Sequence, residues 1–414
     1  MKSLWLDRKS HFTSDAIPPA EKHFDTIVVG AGLTGMVAAL LLSRSGQRVV
    51  VFEARTLGAV TTGNTTGKLS LLQGGVLSAL RSQYSLKVVQ AYVEANKTGQ
   101  AWLAQYMEQQ GAPFQRRTAV TFATTDDGGQ RLRKEAAVSR DAGLDVHFSR
   151  DPGLPFPVVE ALELEDQAQI HPMDVLETLA SDVREHGGLI VEGVQVQNVG
   201  SDLPLEVATR KGTFTADTVV VATGTPILDR GLYFAKLEPN RSYAAALRVA
   251  GDIPKGMYLS VDAPTRSQRT YPTPEGELLL VGGYGHTGGR ATSPQQHLND
   301  LLGWANEHYP GAEVTHTWSA QDYQATNLMP FFGKLPPRGH GRIFFGTGYN
   351  KWGMSNGGGC CPVHHLGHPG WPVRLGHGHP SPGHITPRCH PSHSPQCQHC
   401  QTDDRGQSQG QEQP

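Results

Sequence analysis

Residues 27–29 are Ile-Val-Val, an apolar run too short for a helix, and they lead directly into Gly30. The next apolar stretch, residues 36–43, reads as a buried helix that Gly46 stops. A β-branched run over 48–52 then ends at Glu53. Residues 25–53 are therefore expected to form strand, turn, helix and strand. Helical spacing continues over 78–110 (Val88, Val89, Tyr92, Trp102, Leu103, Tyr106) and over 132–142 before Gly143, with a strand at 119–124 between them. His171-Pro172 opens a helix to His186, followed by a strand over 190–199 and a short meander at 205–208 and 214–215. Strands are expected again at 218–224, 241–249, 276–283 and 342–345, with a helix over 298–308. The last strand opens into a glycine-rich turn, 346–357, which should start another helix.

The first turn carries chemistry. Gly30, Gly32 and Gly35 have the spacing GxGxxG, with Ala31, Leu33 and Thr34 between them. The first glycine permits the tight turn, the second lets backbone approach a pyrophosphate, and the third lets the helix pack on the strand. Glu53, eighteen residues past Gly35, can hold ribose hydroxyls, so the context of a dinucleotide site is complete. The alternative is a glycine-rich turn with a surface Glu. After Ala54 and Arg55 the run TTGNTTGKLS, beginning at Thr61 and Thr62, offers small donors beside a pyrophosphate or forms an ordinary polar loop. Ala222, Thr223 and Gly224 end the TVVVATG strand with small residues that let backbone approach a ligand. In a two-halved α/β sheet that strand end lies near the first glycine turn.

A length of 414 residues suits two to three domains with no need of disulfide support. A net charge of -2 and the lack of a long basic run give no reason to expect nucleic acid or an anionic membrane as partner. Neither a signal-peptide core nor a membrane-length apolar run is present, which predicts a cytoplasmic protein. Residues 1–23 read as a polar arm lying over the first domain. All five cysteines fall between Cys360 and Cys400, so the body holds no thiol.

Taken together, GAGLTG with Glu53, VVVATG, EGELLLVGG (275–283) and GTGYNKWGMSNG (346–357) stand in one order over residues 24–357. In this the chain resembles the FAD-dependent oxidoreductases of the D-amino-acid oxidase and sarcosine oxidase superfamily. The resemblance implies an α/β fold with a discontinuous Rossmann-like FAD-binding domain (24–80, 160–235, 311–357). An α+β antiparallel-sheet substrate domain (81–159, 236–310) would roof the flavin. It implies FAD as cofactor and removal of a hydride from a carbon bearing an amine, in an amino acid or small amine. Electrons would pass on to oxygen or a separate carrier. Gly30, Ala31, Gly32, Leu33, Thr34, Gly35, Glu53, Ala54, Arg55, Thr61, Thr62, Val194, Ala222, Thr223 and Gly224 would bind or flank the cofactor. Gly348, Tyr349, Asn350, Lys351, Trp352, Gly353 and Met354 would lie against the flavin ring. Lys351 would supply positive charge to it, Arg241 would suit a substrate carboxylate, and Tyr323, Tyr243, Tyr271 and His286 are further candidates in the roof.

Some relatives carry a Rieske domain after the flavin domain, with C-x-H followed by C-x-x-H. Here Cys361-x-x-His364 comes first and Cys397-x-His399 last, which excludes that cluster, and no metal site is expected. Residues 358–414 are dense in Pro, Gly and His and should be disordered. As a hypothesis, this tail is a frameshift product: codons for residues 358–363 read one base later permit Val-Ala-Ala-Ala-Leu, the start of an apolar helix. An intact frame in independent isolates would sink that idea. Two alternatives follow, an inactive or merely FAD-binding product and a nicotinamide-dependent Rossmann dehydrogenase.

Overall fold

A computed structural model describes residues 1–228, 231–290, 293–335 and 339–359. The disordered and frameshifted tail expected at 358–414 lies outside the described residues, apart from two glycines that close a helix.

Two sheets share the chain. In the first, His23–Val29 is central and runs parallel to both Val49–Phe52 and Gly212–Val221. Leu189–Val191 extends one side in parallel, and Ile343–Thr347 extends the other. Phe331–Lys334 and a small hairpin are added antiparallel. Because the strands are covered on both faces, they read as unbroken Val, Ile and Phe runs. The order places the C-terminal ends of His23–Val29 and Gly212–Val221 side by side, at the point where the connections diverge to opposite edges.

The second sheet has nine strands, among them Glu313–Ala325, Leu237–Arg248, Gly276–Thr287, Arg266–Thr273, Phe114–Ala123 and Glu160–Ile170. It is antiparallel except where Met257–Ser260 runs parallel to Phe114–Ala123. Glu160–Ile170 and Glu313–Ala325 belong to this sheet, although the sequence division groups both stretches with the nucleotide side.

Helix Leu33–Arg44 lies between the sheets with ten of its residues buried, so its apolar residues form no single stripe. Helix Pro172–Glu185 and the closing Gly353–Gly359 pack on it, and Leu86–Gln109 packs on the closing helix. The closing helix is glycine-rich and is fixed by buried polar groups. Ser355 Oγ donates to Asn96 Oδ1 at 2.7 Å, Gln73 Nε2 donates to the same oxygen at 3.1 Å, and Tyr92 OH donates to Gln73 Oε1 at 2.7 Å.

Some local expectations need correction. The helix expected over 78–110 is two helices, Val76–Gln83 and Leu86–Gln109, because Tyr84 and Ser85 are extended and Tyr84 OH anchors to Asn327 O at 2.9 Å. The strand expected over 190–199 breaks at Gly193, whose φ of +71° turns the chain. The opening segment is more than a polar arm, since Trp5 is fully buried.

Candidate functional site

The glycine turn is built as the spacing demands. Gly30 has φ +107°, and a Cβ there would stand 2.6 Å from Ala222 O. A Cβ on Gly35 would lie 1.9 Å from Gly30 O, so only glycine lets the helix start this close to the strand. Leu33 N–H donates to Thr62 Oγ1 at 3.2 Å, which brings the threonine loop against the helix N-terminus. Glu53 accepts from Ala31 N–H and Arg55 N–H, both at 2.8 Å, and Val194 N–H donates to Glu53 O at 2.9 Å. Ala54 and Arg55 themselves are exposed.

Across the crevice, Ala222 N–H donates to Val29 O at 2.8 Å, tying the two strand ends together. Thr223 Oγ1 donates to Thr225 O at 2.6 Å, and Gly224 has φ +80° with its carbonyl taken by Thr347 Oγ1. These strand ends and the helix N-terminus leave a backbone-lined cradle in which an added Cβ would clash. That fits an extended diphosphate.

The closing loop lies at the other end of the helix start. Gly348, Asn350 and Lys351 have φ of +79°, +46° and +70°. Left-handed backbone at two non-glycine residues costs about 1–3 kcal/mol each and marks a locally determined shape. Thr34 Oγ1 donates to Tyr349 OH at 3.3 Å, and Asn350 N–H donates to Tyr323 O at 3.1 Å. Trp352 N–H closes the turn on Tyr349 O at 2.9 Å, Gly353 begins the closing helix, and Met354 is buried in the core.

Of the catalytic candidates Lys351, Arg241 and Tyr323, the last two meet through Gln321, and the Lys351 ammonium stands apart from their side chains. Lys351 Nζ lies 3.5 Å from where a Gly285 Cβ would stand, beside Ser242 Oγ. In the strand Leu237–Arg248, Ser242 and Arg241 point to opposite faces. Arg241 donates to Ser319 Oγ and Gln321 Oε1, each at 3.0 Å, and Gln321 Nε2 donates to Tyr323 OH at 3.1 Å. Tyr323 itself packs beside Gly224. Tyr243 shares the Arg241 face, hydrogen-bonds His286 at 3.0 Å and packs with helix Pro294–His308. Tyr271 packs on Trp5.

The opposite face of Glu313–Ala325 carries Trp318 and Asp322, with Trp318 Nε1 donating to Asn64 O at 2.9 Å. Burial pushes the Asp322 carboxyl up, and the Lys351 charge and backbone N–H pull it back in part. Asp322 Oδ2 has no hydrogen-bond partner among the described residues.

Sequence reasoning missed Lys68. It follows the threonine loop, and its ammonium donates to Tyr258 O and to Ser267 Oγ at 2.8 Å. The residue as a whole keeps some accessible surface, but burial of the ammonium, helped by Arg269, lowers it to about 7. Burial likewise lowers Arg269 to about 9. The signal in the sequence was one Lys inside an otherwise uncharged run.

His23, Asp25 and Asp217 also come together, but at the far end of the first strand, where Asp25 is bound to Arg48 at 2.6 Å. Among the described residues no helix is long and apolar enough to cross a membrane.

A protein of Bacillus subtilis (strain 168) that bears a Rieske 2Fe-2S iron-sulfur name is 26% identical over 337 residues, 80% of this chain and 66% of that protein. The chain thus spans just under two thirds of that relative's length. The gamma-glutamylputrescine oxidoreductase of Escherichia coli (strain K12) is 23% identical, with 80% of each chain covered. The crystal structure of glycine oxidase from Geobacillus kaustophilus superposes with a TM-score of 0.68 at 21% identity, over 83% of this chain and 93% of that one. The family described as DAO, FAD dependent oxidoreductase, matches residues 25–362, and this chain belongs to it.

Proposed function

We propose that the chain holds FAD along the crevice from Glu53 to Lys351 and oxidises a small amine or amino acid at the carbon bearing nitrogen. The observation that carries this reading is the Thr34–Tyr349 hydrogen bond, which joins the glycine turn to the closing loop. One cofactor could then touch both. Bound FAD supplies a two-electron acceptor, and the protein's part is binding, orientation and charge.

The ADP half would rest on Gly30–Gly35, Thr62 and Ala222–Gly224, with the helix N-terminus toward the diphosphate. Glu53 and Val194 would line the nucleoside end. At the other end, Lys351 would hold a positive charge beside the ring, suited to the negative charge of a reduced flavin. Asp322 tempers that charge from the same sheet face. Arg241 and Tyr323 act through Gln321 on the shape of the strand beside Gly224, rather than by contact with substrate. The family match, which is to FAD enzymes, sets aside the nicotinamide alternative.

The test is an absorption spectrum of the purified protein before and after denaturation, followed by anaerobic mixing with amines and amino acids. Flavin bands that bleach with one of these donors support the reading. Colourless protein that takes up no added FAD overturns it.

A further inference from the structure

Four successive carbonyls in the loop after the glycine turn are each taken by a side chain from a distant part of the chain. Gly63 O accepts from Ser3 Oγ at 2.7 Å, Asn64 O from Trp318 Nε1 at 2.9 Å, and Thr65 O from Trp5 Nε1 at 2.6 Å. Thr66 O accepts from the Arg269 guanidinium. Loop carbonyls are commonly satisfied by water or by their own turn. Here two of the four donors belong to the first five residues.

The opening segment is firmly seated. Trp5 packs edge-on against His171 and Tyr271, with centroids 4.8 and 4.9 Å away, and the Arg269 guanidinium lies 5.3 Å over its ring. Leu6 Cδ2 lies 2.8 Å from where a Gly63 Cβ would stand, so the loop and the segment are fitted to each other. On either side of Trp5, Lys2 bridges to Thr317 and Arg8 pairs with Asp174 and Glu177. The other side of the same loop faces the proposed cofactor crevice. Thr62 Oγ1 accepts from Leu33 N–H at the helix start, and Thr66 Cγ2 lies 3.5 Å from the Cβ position of Gly282 in the roof.

We infer that Ser3 and Trp5 are positioning residues of the cofactor site: they hold the 61–66 loop by its carbonyls against the N-terminus of helix Leu33–Arg44, and FAD retention depends on them. This rests on the FAD reading above. The Trp5 ring serves the core, whereas its Nε1–H serves the loop, so the two roles separate by substitution.

The experiment uses the full chain with Trp5→Phe, which keeps a ring and removes the donor, and Ser3→Ala, which is mild enough to fold. Apoprotein is titrated with FAD by fluorescence quenching, and apoprotein melting is recorded alongside. Trp5→Phe is expected to raise the FAD Kd about tenfold and Ser3→Ala a few-fold, on the scale of one hydrogen bond each. Apoprotein Tm should fall modestly for Trp5→Phe, whose smaller ring leaves a gap in the core, and little for Ser3→Ala. Unchanged Kd in both variants overturns the inference, and so does a fall in apoprotein Tm with Kd intact, which would make the contacts purely structural. Wild-type protein that takes up no FAD overturns the underlying FAD reading instead, and the inference falls with it.

Discussion

The Glu53 carboxylate accepts from the Ala31 N–H at 2.8 Å, so the end of the second strand is tied to the middle of the glycine turn. The same carboxylate accepts from Arg55 N–H. Glu53→Gln keeps the shape but replaces one acceptor with a donor that faces an N–H. FAD affinity is expected to fall about tenfold, the scale of one charge-assisted hydrogen bond. Fluorescence titration checks it, and an unchanged Kd would separate Glu53 from cofactor binding.

Gly35→Ala drives a Cβ into the Gly30 carbonyl, and backbone cannot step aside as a side chain would. Unfolding free energy should drop by about 3 kcal/mol, and FAD uptake should be lost. Gly46→Ala is the control. Its φ of +85° carries strain, but no atom stands within 4 Å of the added carbon. The control is expected to lose about 1 kcal/mol and keep its FAD. Equal losses at both sites, read from denaturant midpoints, would contradict the packing argument.

Lys68 predicts a pH dependence with a definite sign. An unfolded lysine titrates near ~10.4, and folded Lys68 is lowered to about 7. Across that window the unfolded chain binds more protons, so the Lys68 contribution to stability rises with pH. Lys68→Met has no such group. Its stability advantage over wild type should be largest near and below neutrality and shrink toward the alkaline end. A gap that does not vary with pH would refute the assignment.

Lys351 and Asp322 make an opposed pair of predictions. Lys351→Met removes positive charge and should make the flavin midpoint potential more negative. Asp322→Asn removes a neighbouring acid and should make it less negative. A two-electron couple moves about 30 mV per ~1.4 kcal/mol. Potentials measured by dye equilibration that move in the same direction would show that the two side chains do not act on one site.

Much of the nucleotide half was legible in the sequence because its constraints are local. Gly30, Gly32, Gly35 and Glu53 sit within one strand-helix-strand unit, and the spacing alone fixes their neighbours. The roof was less legible. Glu160–Ile170 reads EALELEDQAQI, whose charged and amide residues hide a strand that the sheet supports from both sides. Arg241 looked suited to a carboxylate, but whether its side chain faces the crevice depends on pairing with Gln321 in Glu313–Ala325, 80 residues away in the chain. Trp5 gave no signal at all, because its partners Thr65, His171 and Tyr271 are brought to it only by the finished fold.

The closing helix Gly353–Gly359, with sequence GMSNGGG, has too little intrinsic helical tendency to persist alone. It exists because Asn96 and Gln73 receive it inside the core. The two ends of the crevice therefore differ in local stability. Amides of Leu33–Arg44 should exchange with solvent only on global unfolding, whereas those of the closing helix should exchange through a smaller opening that releases Ser355 from Asn96. The flavin end of the site would then loosen while the nucleotide end stays formed, and a bound cofactor would depart ring first.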